Sequence, residues 1–297
     1  MKNSERQGTF ISPMVDSAFK IVFGNEENKE LLIDLLNELF RGEYKVEDIN
    51  YLDKENPRRL NGRKSFIYDI YCRTQDGKYV IVEMQVKKQA SFFVRTVVYV
   101  AEALARQVML GDEDYDKVKS VYGVYLMNFT DDSICNDLFN DFLLINKKTM
   151  EYAPNLINLL FLSLPLFNKE EKECETKLDK WIYLIKNMHK LETIPWTEEP
   201  VFAKLEKVAR IANLTEEDYL EYRRELDAEK TMKDIIKTEI ADSFAEGEAF
   251  GRKKGRAEGR AEERTEIAKN MLAKGMDVKT IMELTGLTKE DIQAFSN

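Results

Sequence analysis

The sequence predicts an α/β fold, a mixed sheet flanked by helices and followed by an α-helical C-terminal region. Three observations predict it. Residues 65–73 and 78–87 alternate in polarity and are rich in β-branched and aromatic side chains, with Asp76-Gly77 between them, which is the pattern of a β-hairpin. A helical stretch then separates the hairpin from a largely apolar run at 118–129, and a strand that rejoins a sheet through a helix implies a mixed sheet with helices on its faces. Beyond about residue 165 the chain turns charged and helical in pattern, with no further strand signal.

Taken in order, Ser12 as N-cap and Pro13 at the first helical position predict a helix through Asp16, Phe19 and Lys20, ended by Phe23-Gly24-Asn25. Leu31, Leu32, Leu35, Leu36 and Leu39 form an apolar stripe at helical spacing, so 28–40 is a second helix. Residues 44–52 suit a first strand, and the polar stretch 55–64 carries Arg58, Arg59, Arg63 and Lys64. After the hairpin, 91–110 reads as a helix ending at Gly111, and 118–129 as a buried strand. Residues 169–190 and 200–240 are helical in pattern. From Glu246 onward, Gly247, Gly251, Gly255 and Gly259 recur four apart among Arg, Lys and Glu. Two readings stand: a helix in close contact with another, bringing self-association, or a charged linker, since each interior Gly costs about 1 kcal/mol relative to Ala. The last segment falls into short helical pieces punctuated by Gly275 and Gly286, with Asp277 and Thr288 as N-caps and Thr288 and Asp291 at capping-box spacing. The expected organisation is a first domain over 1–165, a helical region over 166–240, and a charged Gly-repeat helix with a small helical tail over 241–297.

Composition narrows the function. A hydrophobic fraction of 43% supports a substantial core, and a net charge of −9 speaks against a protein that coats nucleic acid without specificity. An enzyme acting on nucleic acid remains compatible, because it gathers carboxylates around a metal and needs only local basic patches. No apolar run reaches the roughly 20 residues of a membrane span. The N-terminus shows no signal-peptide pattern, and Cys72, Cys135 and Cys174 are too few and too scattered for a disulfide framework or a zinc site. A cytoplasmic location is therefore expected.

The hairpin carries the chemistry. Successive strand residues point to opposite faces. One face shows Phe66, Tyr68, Ile70 and Cys72 with Val80, Val82, Met84 and Val86. The other shows Ile67, Asp69 and Tyr71 with Tyr79, Ile81, Glu83, Gln85 and Lys87. A two-residue Asp76-Gly77 turn would set Asp69 opposite Met84. A three-residue Gln75-Asp76-Gly77 loop pairs Thr74 with Lys78 and sets Asp69 opposite Glu83. Gly in the last loop position suits the longer loop, which needs positive φ there, and only this register leaves one uniformly apolar face. Cross-strand Cβ atoms lie about 4.5–5.5 Å apart, so two carboxylates there repel unless one is protonated or a cation intervenes. Mg²⁺ fits, because it takes one or two carboxylates and completes its shell with water and phosphate. Lys87 would add positive charge beside the phosphate. The competing reading is an exposed hairpin face with incidental acids, although Ile67 and Ile81 suggest that a helix covers it.

These residues resemble the PD-(D/E)XK nuclease superfamily, and more closely its branch of Rpn recombination-promoting nucleases, also called PD-(D/E)XK nuclease family transposases. The resemblance rests on Asp16-x-x-Phe19-Lys20-x-x-Phe23-Gly24, Leu35-Leu36-Asn37, Tyr68-Asp69-Ile70, Val82-Glu83-Met84-Gln85, Arg95 with Tyr99, and Gln107 with Gly111. It runs from about residue 9 to 165. It implies a restriction-endonuclease-like fold that cuts DNA phosphodiesters with Mg²⁺ or another divalent cation, with little sequence specificity, in recombination or mobile-element conflict. By motif position Asp69 and Glu83 are the metal ligands, and Gln85 stands where the superfamily usually has a catalytic Lys. That departure keeps a second reading open, a catalytically weak nuclease-fold module that binds DNA or protein. The resemblance also nominates Asp16, Lys20, Arg95 and Tyr99 as accessory residues. A local cap is the plain alternative for Asp16, and a helix-to-sheet bridge for Arg95 and Tyr99.

Arg58, Arg59, Arg63 and Lys64 precede the catalytic strand and are candidates for DNA-backbone contact, against a solvated loop. His189, the sole histidine, has no partner in the sequence that would make it catalytic, and Trp181 and Trp196 read as packing residues. The final helices resemble a helix-turn-helix, but Asp277, Glu283, Glu290 and Asp291 make a poor DNA surface, so a capping or oligomerisation module is expected there.

Overall fold

The computed structural model describes Arg6 and residues 8–52, 67–108, 115–134, 137–152 and 156–294. The chain divides into two compact units, Met1–Asp227 and Ala228–Asn297.

The first unit is built on a six-stranded sheet. β1 (Ile49–Tyr51), β2 (Ile70–Thr74) and β3 (Tyr79–Gln85) form an antiparallel meander. α3 (Phe92–Ala105) then carries the chain to β4 (Val121–Met127), which runs parallel to β3, as a crossover through a helix permits. β6 (Ile157–Ser163) continues the parallel centre, and β5 (Phe139–Leu143) closes the edge antiparallel to β6. The strand order is β1-β2-β3-β4-β6-β5. The mixed sheet is thus observed. β5 and β6 extend it beyond the expected strands, and β1 is shorter than the 44–52 expected.

Alternation along β3 and β4 gives the sheet two buried faces. Val80, Val82, Val124 and Leu126 point into the larger core, which α1 (Asp16–Phe23), α2 (Lys29–Leu39), α4 (Lys177–Asn187) and α5 (Pro200–Ala209) cover. Ile81, Tyr125 and Phe161 point the other way, against Phe92, Val100 and Ala103 of α3. The polar hairpin face is therefore roofed by a helix at Ile81, as expected, whereas Ile67 is exposed and lies outside that cover.

α1 departs from expectation at its start. It begins at Asp16 with Val15 as N-cap and no side-chain cap from its own turn. Ser12 instead closes a turn through its carbonyl, which accepts from Val15 N–H at 3.0 Å. The cap comes from a distant carboxylate: Glu225 Oε2 accepts from Ser17 N–H at 2.9 Å and from Ser17 Oγ at 2.7 Å.

Glu225 lies near the start of α6 (Glu216–Ala273), one continuous helix through the Gly-repeat stretch, where a linker was the alternative expectation. Gly247, Gly251, Gly255 and Gly259 are exposed in it, with nothing near enough to touch an added Cβ. Its neighbours in sequence are strong helix formers (Ala, Arg, Lys, Glu), which offset the glycine cost. In the second unit α6 ends near α7 (Val278–Thr285) and α8 (Lys289–Gln293), which share a small core of Ala268, Ile281 and Ile292. Asp277 caps α7, Gly286 ends it in the left-handed conformation, and Thr288 and Asp291 form a capping box on α8.

Candidate active site

The β2–β3 turn fixes the register. Thr74 N–H donates to Lys78 O at 2.8 Å, Gly77 N–H donates to Thr74 O at 2.9 Å, and Gly77 has φ +87°. Asp76 stiffens the loop, accepting from Thr74 Oγ1 at 2.7 Å and pairing with Lys78 at 2.9 Å. The ladder then runs from Arg73↔Tyr79 to Ile70↔Val82. Continued by one step, this register brings Asp69 towards Glu83, as the three-residue loop predicts, and the Asp69 charge acts on Glu83.

Regular pairing stops at that step. β2 begins at Ile70, and Asp69 lies in a bend, where its Oδ2 accepts from Met84 N–H at 3.0 Å. A side-chain oxygen has taken the place of a ladder carbonyl. The bend also breaks alternation, so Tyr68 does not share the face of Ile70 as expected. Tyr68 is buried on the opposite side, its ring against Tyr71 and Tyr99 and its hydroxyl donating to Glu102 at 2.9 Å.

Several expected accessory groups converge here. Lys20 pairs with Asp16 at 2.6 Å, and both act electrostatically on Asp69 and Glu83. Burial first, then the Asp16 charge, pushes the Asp69 carboxyl up to about 6, against the Met84 N–H bond and Lys20. Glu83 is only 6% exposed; burial and then the Asp69 charge push it to about 8, with Arg95 opposing. Burial alone would lower the Lys20 ammonium, but Asp16, Asp69 and Glu225 outweigh it and hold it above its ordinary value. Burial and then Glu83 raise the Tyr99 phenol.

Gln85 is engaged at both ends of its amide. Its Oε1 accepts from Arg95 Nη2, and its Nε2 donates to Lys87 O at 2.9 Å. Arg95 also donates through Nη1 to Gln89 Oε1 at 2.7 Å, while its buried Nε–H has no acceptor among the described residues. Lys87 itself is exposed beyond the end of β3, with no ion pair to Asp69 or Glu83 among the described residues. The expected charge beside the carboxylates therefore comes from Lys20 and Arg95. Arg58, Arg59, Arg63 and Lys64 lie outside the described residues. The sequence reading missed Glu225, which reaches α1 across a separation of 208 residues and leaves no local signal.

Among the described residues no three Asp, Glu, His or Cys groups form a ready metal cage. Mg²⁺ needs only one or two carboxylates when water and phosphate complete its shell. Two facing, desolvated carboxylates and a cation with an unused donor suit a divalent ion with a phosphate.

Residues 13–239 match the family described as PD-(D/E)XK nuclease family transposase. Residues 261–297 match the Rpn/YhgA-like nuclease family C-terminal HTH domain. The second match corrects the setting-aside of a helix-turn-helix on account of acidic side chains: α7 and α8 are joined by a short turn at Gly286, a connection of the kind that motif uses. No curated protein and no solved structure gives a significant match.

Proposed function

Because the chain belongs to the PD-(D/E)XK nuclease family transposases, we propose that it is a Mg²⁺-dependent DNA endonuclease of low sequence specificity, serving recombination or mobile-element activity. The observation that carries the reading is the buried Glu83 with Asp69 just beyond the end of the hairpin ladder, close enough for its charge to act on Glu83. The two carboxylates are the proposed metal ligands. When bound, the cation supplies charge neutralisation to the phosphate oxygens and acidifies the attacking water. Lys20, paired with Asp16, offsets the concentrated negative charge. Arg95 offers its unused Nε–H to a phosphate oxygen, a charge-assisted bond stronger than a neutral one. Gln85 holds that guanidinium in position and orients water, while Arg95 brings the charge that the usual Lys would carry. Tyr99 stands one helical turn from Arg95, whose guanidinium lies over its ring. Residues 1–165 are the proposed nuclease domain, with 166–240 as helical support and 241–297 as the DNA-binding and self-association tail. No described helix is long and apolar enough to cross a membrane, and a cytoplasmic site of action is part of the proposal.

A plasmid-nicking assay with Mg²⁺ tests it. The wild type is expected to cut, and Asp69→Ala and Glu83→Ala to lose on the order of 100-fold or more, the scale of a lost transition-state contact. Equal cleavage by all three proteins would sink the assignment. One observation favours a second reading: the Gln85 amide is tied to Arg95 and to the Lys87 carbonyl and carries no charge. If the wild type fails to cut with any divalent cation, the fold serves instead as a DNA- or protein-binding module.

A further inference from the structure

The exposed part of α6 has a segregated charge pattern. Arg252, Arg256, Arg260 and Arg264 recur every fourth residue. At about 100° per residue each step drifts by about 40°, so the four arginines and Lys253 stay within about a third of the helix circumference. Glu258 and Glu262 fall outside that sector, as do Gly251, Gly255 and Gly259; among residues 249–264 only Glu263 intrudes. Ala249 and Ala257 flank the row, and with Arg252, Lys253, Arg256 and Arg260 they line one open trough.

The cations of this row are exposed. Arg252 pairs with Glu248 at 2.9 Å, whereas Lys253, Arg256, Arg260 and Arg264 have no ion pair among the described residues. A cationic row in which four of the five charges have no ion pair among the described residues is a local feature in a chain of net charge −9. The row is about 18 Å long at the helical rise of about 1.5 Å per residue, and a DNA duplex carries one charge per roughly 1.7 Å of its axis. An anionic membrane suits it less well, because an interfacial helix needs a broad apolar face and Phe250 is the one large apolar side chain between 249 and 264.

We propose that this basic ridge is a DNA-backbone contact surface that precedes, and runs into, the helix-turn-helix match at 261–297. The proposal rests on the reading of DNA as substrate, and it assigns phosphate contact to a surface that begins ahead of the matched segment. α7 and α8 set Lys279 and Lys289 against Glu283, Glu290 and Asp291, so they bring no excess of positive charge. The ridge supplies it: Arg pairs bidentately with phosphate, while the small Ala249 and Ala257 beside the row let a backbone approach.

The test is fluorescence anisotropy of full-length protein on a labelled duplex in EDTA, over about 50 to 200 mM salt. An Arg252→Ala/Arg256→Ala/Arg260→Ala variant is compared with a matched Lys230→Ala/Lys233→Ala/Lys237→Ala variant of the same helix. Alanine at exposed helical positions preserves the fold, which circular dichroism checks. The ridge variant is expected to bind at least about tenfold more weakly, with a log–log salt slope shallower by about two to three, and the matched variant to behave as wild type. Equal binding by the ridge variant and wild type overturns the ridge while plasmid cutting still upholds the nuclease. Equal losses in both variants overturn it too, since the effect is then general charge. Loss confined to phosphatidylserine vesicles, with DNA binding intact, assigns the ridge to membranes and overturns the proposal. A wild type that binds no duplex overturns both readings together.

Discussion

Glu83 keeps a carboxyl group where the surrounding sheet and α3 exclude water, and its acidity follows from that. Its folded value near 8 lies above its ordinary 4.5, and Asp69 rises from 3.8 to about 6. A carboxyl with a raised folded value binds more protons in the native state, so its stabilising effect is complete below the ordinary value and lost as pH rises through the folded one. Metal-free protein should therefore lose thermal stability between about pH 5 and pH 8, by on the order of a few kcal/mol at most. Differential scanning calorimetry is expected to show this fall, a flatter profile in Glu83→Gln, and recovery at pH 8 with Mg²⁺. A wild-type melting temperature that rises over that window would contradict the burial of Glu83. The Gln85–Arg95 contact makes a second claim at this scale. Arg95→Met removes the charge that opposes Glu83 protonation, so the pH for half-maximal cleavage should move upward and cleavage fall on the order of 10- to 100-fold; an unchanged pH profile would place Arg95 outside the site. The nearness of Asp69 to Glu83 was legible in the sequence from alternation and one turn, whereas Gln85 was singled out chiefly by the family motif. The partners of Gln85 were not legible, since they depend on how far α3 lies above the sheet.

The hairpin and α1 are elements with opposite legibility. The hairpin is set by local chemistry, with Gly77 at positive φ and Asp76 tied to its own loop. Gly77→Ala should cost roughly 1–2 kcal/mol, which for a domain of this size lowers the melting temperature by roughly 2–8 °C and reduces cleavage in parallel. A fully stable variant would mean that the left-handed residue is dispensable. α1 is completed by a carboxylate from α6, so no local pattern announces its true start. Glu225→Ala removes the cap on Ser17 and should cost about 1 kcal/mol, read as a chemical-denaturation midpoint; an unaltered midpoint would show that α1 needs no remote cap. β6 had a signal that went unused, since Ile157–Ser163 is nearly all apolar, the pattern of a strand buried on both faces. β5 offers less, being a short edge strand whose place depends on β6.

At the scale of the whole molecule, packing is unevenly shared. The sheet, its cores and the root of α6 lie in the first unit, whereas most of α6 beyond Ala228 is exposed helix. Such a segment opens locally at low cost, so limited trypsin digestion should cut first between about residues 230 and 264 and leave a fragment retaining the sheet. Early cuts inside β3 or β4 would contradict that division of stability. The sequence conveyed the mixed sheet and the helical tail, because periodicity is a local property. The helix through the Gly repeat was one of two open readings, and the helix-turn-helix was raised and set aside, because four glycines weaken a helix signal and acidic side chains obscure a DNA-binding one. The register of the β2–β3 hairpin has one further consequence. Asp69 and Glu83 are both counted from the same loop, so insertions or deletions elsewhere in the chain leave their spacing intact. A single residue added between Ile70 and Val82 would turn one of them to the opposite face. Length variation among descendants of this gene should therefore spare that interval and accumulate outside it, and a graft meant to move the chemistry to another sheet has to carry the whole hairpin.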